Sequence, residues 1–320
     1  MPDSLVSILI PCYNAEDWIA ETLESILAQT WTQKEIIVVD DSSSDKSLEI
    51  AKSFTSPLIK IISQEKRGAS AARNRAFQEA QGDYIQYLDA DDLLAPDKIE
   101  LQMQVLLREE NTNYIVAGEW ARFYSLPTEA NFIAEPVWND LSPLDWLICS
   151  WTGGGMMPLH AWLTPRAIAE AAGSWNDSLS LNDDGEYFFR VVLASKGVKF
   201  CSGAKSYYRS GISGSLSSKT SRDAFKSAFQ SIQLCSNYLL ALENSSRVRN
   251  ACATAFQGFI YAAYPDVPDL VRDAEAKVNS LGGCNLICGG GLLFQLFANT
   301  LGWKLAKRIH RIAHHQKNTL

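Results

Sequence analysis

Four short apolar runs, each followed by residues at helical spacing, constrain the fold of this chain more than any other feature. Val6–Ile10 is almost wholly apolar and is stopped by Pro11, as expected of a strand covered on both faces. Trp18, Ile19, Thr22, Leu23, Ile26 and Leu27 then recur at helical intervals, with Asn14 as an upstream cap. Ile36–Val39 is the second run and ends in Asp40 and Asp41; SSSDKSLEIAKSF opens the next helix. Ile59–Ile62 follows as a third strand, and Ser70–Ala80 is helical. Tyr84–Leu88 is the fourth strand and runs into Asp89-Ala90-Asp91-Asp92; Pro96 precedes a helix over Ile99–Leu107. Repeated β-α units of this size predict an α/β protein with a doubly wound, mostly parallel sheet. Its ligands belong at the carboxyl ends of the strands.

Beyond Trp120 the periodicity weakens and aromatic residues gather. Six of the nine tryptophans fall between Trp120 and Trp175, beside Gly153-Gly154-Gly155. LNDDGEYFFRVVLASKG then reads as an apolar helix opened by acids, 210–221 as a Ser-rich loop, and the remainder as helical. With 320 residues, 47% hydrophobic and 20% charged, the chain can build one large core or two unequal domains. Disordered, fibrous and disulfide-scaffold classes are excluded.

Charge is unevenly spread. No Asp or Glu follows Glu275, so the last 45 residues carry +6 and the first 275 carry −13. An acidic body argues against nucleic-acid binding and singles out the tail. Phe294, Phe297, Leu301, Leu305, Ile309 and Ile312 form an apolar stripe, with Lys304, Lys307, Arg308 and Arg311 off it. Residues 292–313 therefore read either as a basic amphipathic helix at an anionic membrane surface or as a helix docked on protein. The seven cysteines are odd in number and scattered, which fits free thiols in a reducing compartment. MPDSLVSILIPCYN enters a strand at once, and no run approaches ~20 apolar residues. A cytoplasmic protein is expected, with the inner membrane face as an alternative site of attachment.

Three acidic clusters stand where strands end or helices begin: Asp40/Asp41, Asp89/Asp91/Asp92 and Asp183/Asp184. A parallel sheet would aim Asp40 and Asp91 into one crevice, and carboxylates spaced like Asp89 and Asp91 suit a hard divalent cation shared with substrate phosphates. Gly-x-x-x-x-Gly-Lys-Ser/Thr is absent, and no Gly-x-Gly-x-x-Gly follows the first strand.

VSILIPCYNAEDWIAETLESILAQTW, EIIVVDDSSSD, RGASAARNRAF and GDYIQYLDADD together resemble the family 2 glycosyltransferases, over roughly residues 4–110 and again at NDDGEYFFR. The resemblance implies the GT-A nucleotide-sugar fold in residues 1–215, with a nucleotide half at 4–118 and an acceptor half at 119–215, followed by a helical region at 216–320. It implies Pro11, Tyr13, Glu16, Asp40, Asp41, Gly68, Arg73, Asn74, Asp89 and Ala90 around the nucleotide sugar. Asp91, with Asp89, would hold Mn or Mg, and Asp184, with Asp183 as the alternative, would be the catalytic base. The Gln-x-x-Arg-Trp signature of processive synthases is missing after Asp184, so one sugar per encounter is expected. The implied activity is inverting transfer from a nucleotide-diphosphate sugar, UDP-linked, to a saccharide or lipid-linked acceptor in polysaccharide or glycoconjugate synthesis. Trp151, His160, Trp175 and Arg190 are candidates for the acceptor side. Arg190 can equally pair with Glu186 at i, i+4, and a lone His or a large aromatic is more often structural.

Overall fold

The computed structural model describes residues 4–54, 56–108, 113–212 and 220–317, with the side chains of residues 293, 310 and 312–317 excepted. The chain forms two compact units, Met1–Lys219 and Thr220–Leu320. The expected 215/216 boundary, most of the Ser-rich loop and the Ile312 side chain lie outside what is described.

The first unit is built on one eight-stranded sheet. Its strands are β1 (Val6–Cys12), β2 (Lys34–Asp40), β3 (Ile59–Ser63), β4 (Tyr84–Tyr87), β5 (Leu93–Leu94), β6 (Tyr114–Phe123), β7 (Trp162–Pro165) and β8 (Gly197–Arg209). They lie in the order β3-β2-β1-β4-β7-β6-β8-β5. The helices are α1 (Ile19–Leu27), α2 (Ser47–Ser53), α3 (Ala69–Glu79), α4 (Lys98–Arg108), α5 (Pro143–Cys149), α6 (Arg166–Ala172) and α7 (Asp183–Ala194). The four strands expected from the apolar runs are all present and mutually parallel. From β4 outward the sheet is mixed: β7 runs antiparallel to both β4 and β6, β8 is parallel to β6, and β5 is antiparallel to β8. Ile8, Ile10, Ile36, Val38, Leu23 and Ile26 are fully buried between sheet and helices, which explains the unbroken apolar runs.

Two local expectations need correction. Strand β1 continues through Pro11 to Cys12 rather than ending before it. Leu9 O accepts a hydrogen bond from Leu88 N, so alternate residues of β1 face β4. Pairing with β4 has ended at Leu9↔Tyr87, so the N–H that Pro11 lacks has no strand to serve. Asn14 does not cap α1. Its Oδ1 accepts from Ser44 N at 2.8 Å, tying the loop after β1 to the loop after β2.

Chain order and sheet order together create a switch point. β1 leads to β2 on one side, and β4 then adds on the other side of β1. Cys12 pairs with Asp40 in register, so the loops after β1, β2 and β4 share one edge of the sheet.

The second unit is helical: α8 (Arg222–Leu242), α9 (Ser246–Ala263), α10 (Pro268–Ser280), α11 (Leu292–Leu301) and α12 (Trp303–Lys317). Phe225, Phe229, Phe256, Phe259, Ile260 and Val271 form its core. The tail is two helices rather than one, broken at Gly302, whose φ of +81° favours glycine. The expected orientation is also reversed. α12 docks through its cationic side: Lys304 pairs with Glu275 at 2.6 Å, Arg311 pairs with Asp266, and Lys307 donates to Tyr261 O. Trp303 packs edge-on against Tyr261 and Tyr264. The apolar stripe stays largely exposed, with Leu301 at 51% and Leu305 at 45%. No described helix is long and apolar enough to cross a membrane.

Candidate active site

The loop Asp89–Asp92, between β4 and β5, is fixed from several sides. Thr22 Oγ1, on α1, donates to Ala90 O at 2.9 Å and to Asp92 O at 3.1 Å. Arg209, the last residue of β8, donates from Nε to Asp91 O and from its backbone N to Asp92 Oδ1, both at 2.8 Å. Its guanidinium also reaches Glu21 at 2.5 Å and lies over Trp18 and Phe123. No motif in SYYRS signals this role. Ala90 itself is buried, so its contribution is the carbonyl held by Thr22.

His160 sits beneath the same loop, fully buried and stacked on Tyr208. Its Nδ1 is 2.8 Å from Asp92 Oδ2, close in distance but too oblique for a hydrogen bond. Burial pushes the imidazole down to about 4, leaving it neutral, and burial with the charge of Asp89 pushes Asp92 well above the usual carboxylate range. His160 therefore underpins Asp92 instead of meeting an acceptor.

Asp91 is different. Burial, Asp92 and Asp89 all push its carboxyl well above the usual range. Three acids crowd this loop, and among the described residues no cationic side chain pairs with Asp91. Among the described residues no three His, Cys, Asp or Glu side chains are arranged to hold a metal by themselves. Asp91 and Asp89 fit instead the arrangement in which one or two carboxylates share a hard cation with substrate phosphates.

One arginine joins the distant acidic motifs. Arg73, on α3, donates from Nη2 to Asp89 Oδ1 at 2.8 Å and from Nη1 to Asp183 Oδ2 at 2.9 Å. It is 4% exposed and lies 4.4 Å over the Trp175 ring. Ser70 Oγ adds a second donor to Asp183 Oδ2 at 2.6 Å. Asp183 is thus an anchor for the start of α7. Asp184, its neighbour, accepts from Gly185 N at 2.8 Å and from no other donor among the described residues. Burial and Asp183 push its carboxyl up to about 6, against the pull of Arg73. A carboxyl of that kind is poised to take a proton near neutral pH. Replacing Arg73 by Met leaves two carboxylates in a nearly closed site without their cation. The expected loss is about 3–5 kcal/mol, read from urea unfolding; a loss below about 1 kcal/mol would show that the bridge carries little of the local structure.

Other expected residues divide between pocket and scaffold. Asp41 accepts from Gln64 Nε2 and Arg67 N through Oδ1 and from Gly68 N through Oδ2, all within 2.8 Å, so it clamps the turn into α3. Gly68, at φ +93°, makes that turn. Asp40 Oδ2 accepts from Ser43 N at 3.3 Å, while its Oδ1 is buried without a partner. Glu16 accepts from Lys46 N at 2.9 Å, at the start of α2. Tyr13 is 43% exposed, with Lys66 Nζ 3.8 Å above its ring, a cation that no motif marks.

Three residues expected near nucleotide or acceptor make contacts within the scaffold. Asn74 exchanges two hydrogen bonds with the backbone of Trp175, at 2.9 and 2.8 Å. Trp175 is buried, stacked on Tyr187 at 4.1 Å. Arg190 takes Glu186 in a two-point pair at 2.8 and 2.9 Å and donates to Ala172 O and Ser174 O. It holds the approach to α7. Trp138 and Trp146 are also buried, whereas Trp151 is only partly covered, packed against Phe189.

The family model described as glycosyl transferase family 2 matches residues 7–130. An uncharacterized glycosyltransferase of Escherichia coli K12, YibD, is 34% identical over 162 residues, which is 46% of this chain and 47% of YibD. The match thus spans about half of that relative. WfaP of Escherichia coli, a UDP-Glc:alpha-D-GlcNAc-diphosphoundecaprenol beta-1,3-glucosyltransferase, is 32% identical over 196 residues, 61% of this chain and 72% of WfaP. The fold is similar to Staphylococcus aureus TarS 1–349 in complex with UDP-GlcNAc, with a TM-score of 0.61 at 17% identity, covering 87% of this chain and 89% of that one. With WfaP covered over 72% of its length and the family model matching residues 7–130, the chain belongs to glycosyl transferase family 2.

Proposed function

We propose that the chain is an inverting glycosyltransferase that moves one sugar from a UDP-linked donor to the hydroxyl of a saccharide or lipid-linked acceptor, in polysaccharide or glycoconjugate synthesis at the cytoplasmic side. The observation that carries this reading is the Asp89–Arg73–Asp183 bridge, which sets the loop bearing Asp91 beside the helix start bearing Asp184. Leaving-group chemistry and proton removal are then served by two separate carboxylates at one place. WfaP, which uses UDP-glucose and a diphosphoundecaprenol acceptor by its name, supports the donor and acceptor classes.

Asp184 takes the proton of the acceptor hydroxyl, a weak nucleophile without a base in hydrogen-bond reach. Asp91 and Asp89 would hold Mn or Mg, which supplies Lewis-acid neutralisation of the departing diphosphate when bound. Asp40, with one oxygen uncommitted, is better placed than Asp41 to receive a polar edge of the base, because Asp41 is spent on the turn into α3. Tyr13 offers an exposed ring to the base, with Lys66 beside it as a countercharge for phosphate. Trp151 is the one acceptor-side tryptophan candidate left with open surface.

Slow donor hydrolysis across UDP-, GDP- and dTDP-sugars with manganese tests the proposal. Turnover is expected with a UDP-sugar and loss of it with EDTA. Turnover of a GDP- or dTDP-sugar alone would overturn the donor assignment, and none with any donor would overturn the enzyme reading.

A further inference from the structure

The second unit carries a feature that sugar transfer at the first unit does not use. Leu292 is 93% exposed, Leu296 60%, Leu301 51% and Leu305 45%, a concentration of large apolar side chains along α11 and the start of α12. Such a patch on a soluble surface marks a binding face. It adjoins an open cavity of about 470 Å³ where Leu301 and Leu305 meet Tyr264, Trp303, Lys304 and Arg308. Lys304 is already paired with Glu275, and Arg311 with Asp266. Arg308 lies 5.4 Å over the Tyr264 ring and has no acidic partner among the described residues. A cation without an acid, an aromatic floor and an exposed leucine rim form a site with one phosphate-binding end and one greasy end.

We infer that the α11–α12 corner binds the surface of an anionic bilayer, with Arg308 taking lipid phosphate at the cavity while Leu301 and Leu305 enter the acyl layer. Charge selects this occupant over a second copy. The segment after Glu275 holds six cations and no acid, so a symmetric self-contact would oppose like charges. An anionic lipid surface offers the complementary charge and an apolar layer together. The mode differs from the simple amphipathic helix, because most of the cations of α12 anchor it to α9 and α10 and the exposed leucines are left to insert. The inference extends the lipid-linked acceptor reading by giving the enzyme a place beside its acceptor, but it does not depend on that chemistry.

The test is flotation of the full chain with vesicles of neutral phosphatidylcholine, with and without phosphatidylglycerol. The wild type should bind the anionic vesicles alone and be released by 0.5 M salt. Arg308→Glu should weaken binding about thirtyfold, since two units of charge are lost at a surface worth about one kcal/mol each. Leu301→Ser/Leu305→Ser should weaken it about tenfold or more by removing two inserted side chains. Donor hydrolysis in free solution should be unchanged in both variants, which separates this surface from the catalytic reading. Equal binding by wild type and both variants would overturn the proposal, as would no binding to anionic vesicles. Self-association without lipid that both variants abolish would also overturn it, in favour of a second copy.

Discussion

Asp184→Asn is expected to lower transfer about 10²–10⁴-fold, the range for a positioned general base, while donor affinity stays as in the wild type. The expectation rests on the division of labour at the start of α7. Asp183 is tied to Arg73 and Ser70, whereas among the described residues Asp184 keeps a carboxyl bound only by the adjacent amide. Asp183→Asn should therefore disturb position more than chemistry, with a smaller loss in rate and a larger one in stability. The pH profile gives an independent reading. A base works ionised, and burial with Asp183 raises this one to about 6, so kcat/KM of the wild type should fall as pH drops through about 6. The sign for stability is opposite. A carboxyl whose folded value lies above its unfolded value favours the protonated fold, so that contribution is lost as pH rises from about 4 to about 6. Asp184→Asn should then melt no lower than the wild type at pH 8. If Asp183→Asn alone abolished transfer with donor binding intact, the base would be Asp183.

Asp91→Asn is expected to cost about a thousandfold in metal-dependent turnover, comparable with loss of a principal charge-stabilising group, and to leave a residual rate indifferent to EDTA. The protein should stay folded, because the Asp91 side chain holds no element in place; its backbone carbonyl, which Arg209 grips, is unchanged by the substitution. Asp92→Asn is the control. That side chain accepts Arg209 N and lies against His160, so its replacement should lower thermal stability while the rate retains its metal dependence. Wild-type turnover in Asp91→Asn would remove Asp91 from any metal role.

The first half of the fold was legible because β1, β2 and β4 are buried on both faces, and burial on both faces writes a nearly unbroken apolar run. Ile36–Val39 and Tyr84–Leu88 announce β2 and β4 in that way. β8 does not. In Gly197–Arg209 buried and half-exposed residues are mixed, and its pairing with β6 shifts register at Gly118/Glu119. A strand with an irregular partner leaves no clean period to read. The acidic clusters were legible because they stand where apolar strands end and helices begin. What could not be read was which partner each would choose. Arg73 and Asn74 look alike in RGASAARNRAF, yet one bridges two acids and the other holds the backbone of Trp175. Arg190 carries a polar side chain suited to a site but is paired with Glu186, while His160 is buried beneath the Asp89–Asp92 loop without a hydrogen bond from either ring nitrogen among the described residues. Arg209 shows the converse, a residue without a motif that fixes the Asp89–Asp92 loop.

The central claim is in-line attack assisted by Asp184, and the anomer first released from a UDP-α-sugar tests it directly. Proton NMR during slow hydrolysis, followed ahead of mutarotation, should show the β-anomer first in the wild type and no released sugar above background in Asp184→Asn. The α-anomer appearing first, or equal release from Asp184→Asn, would contradict it.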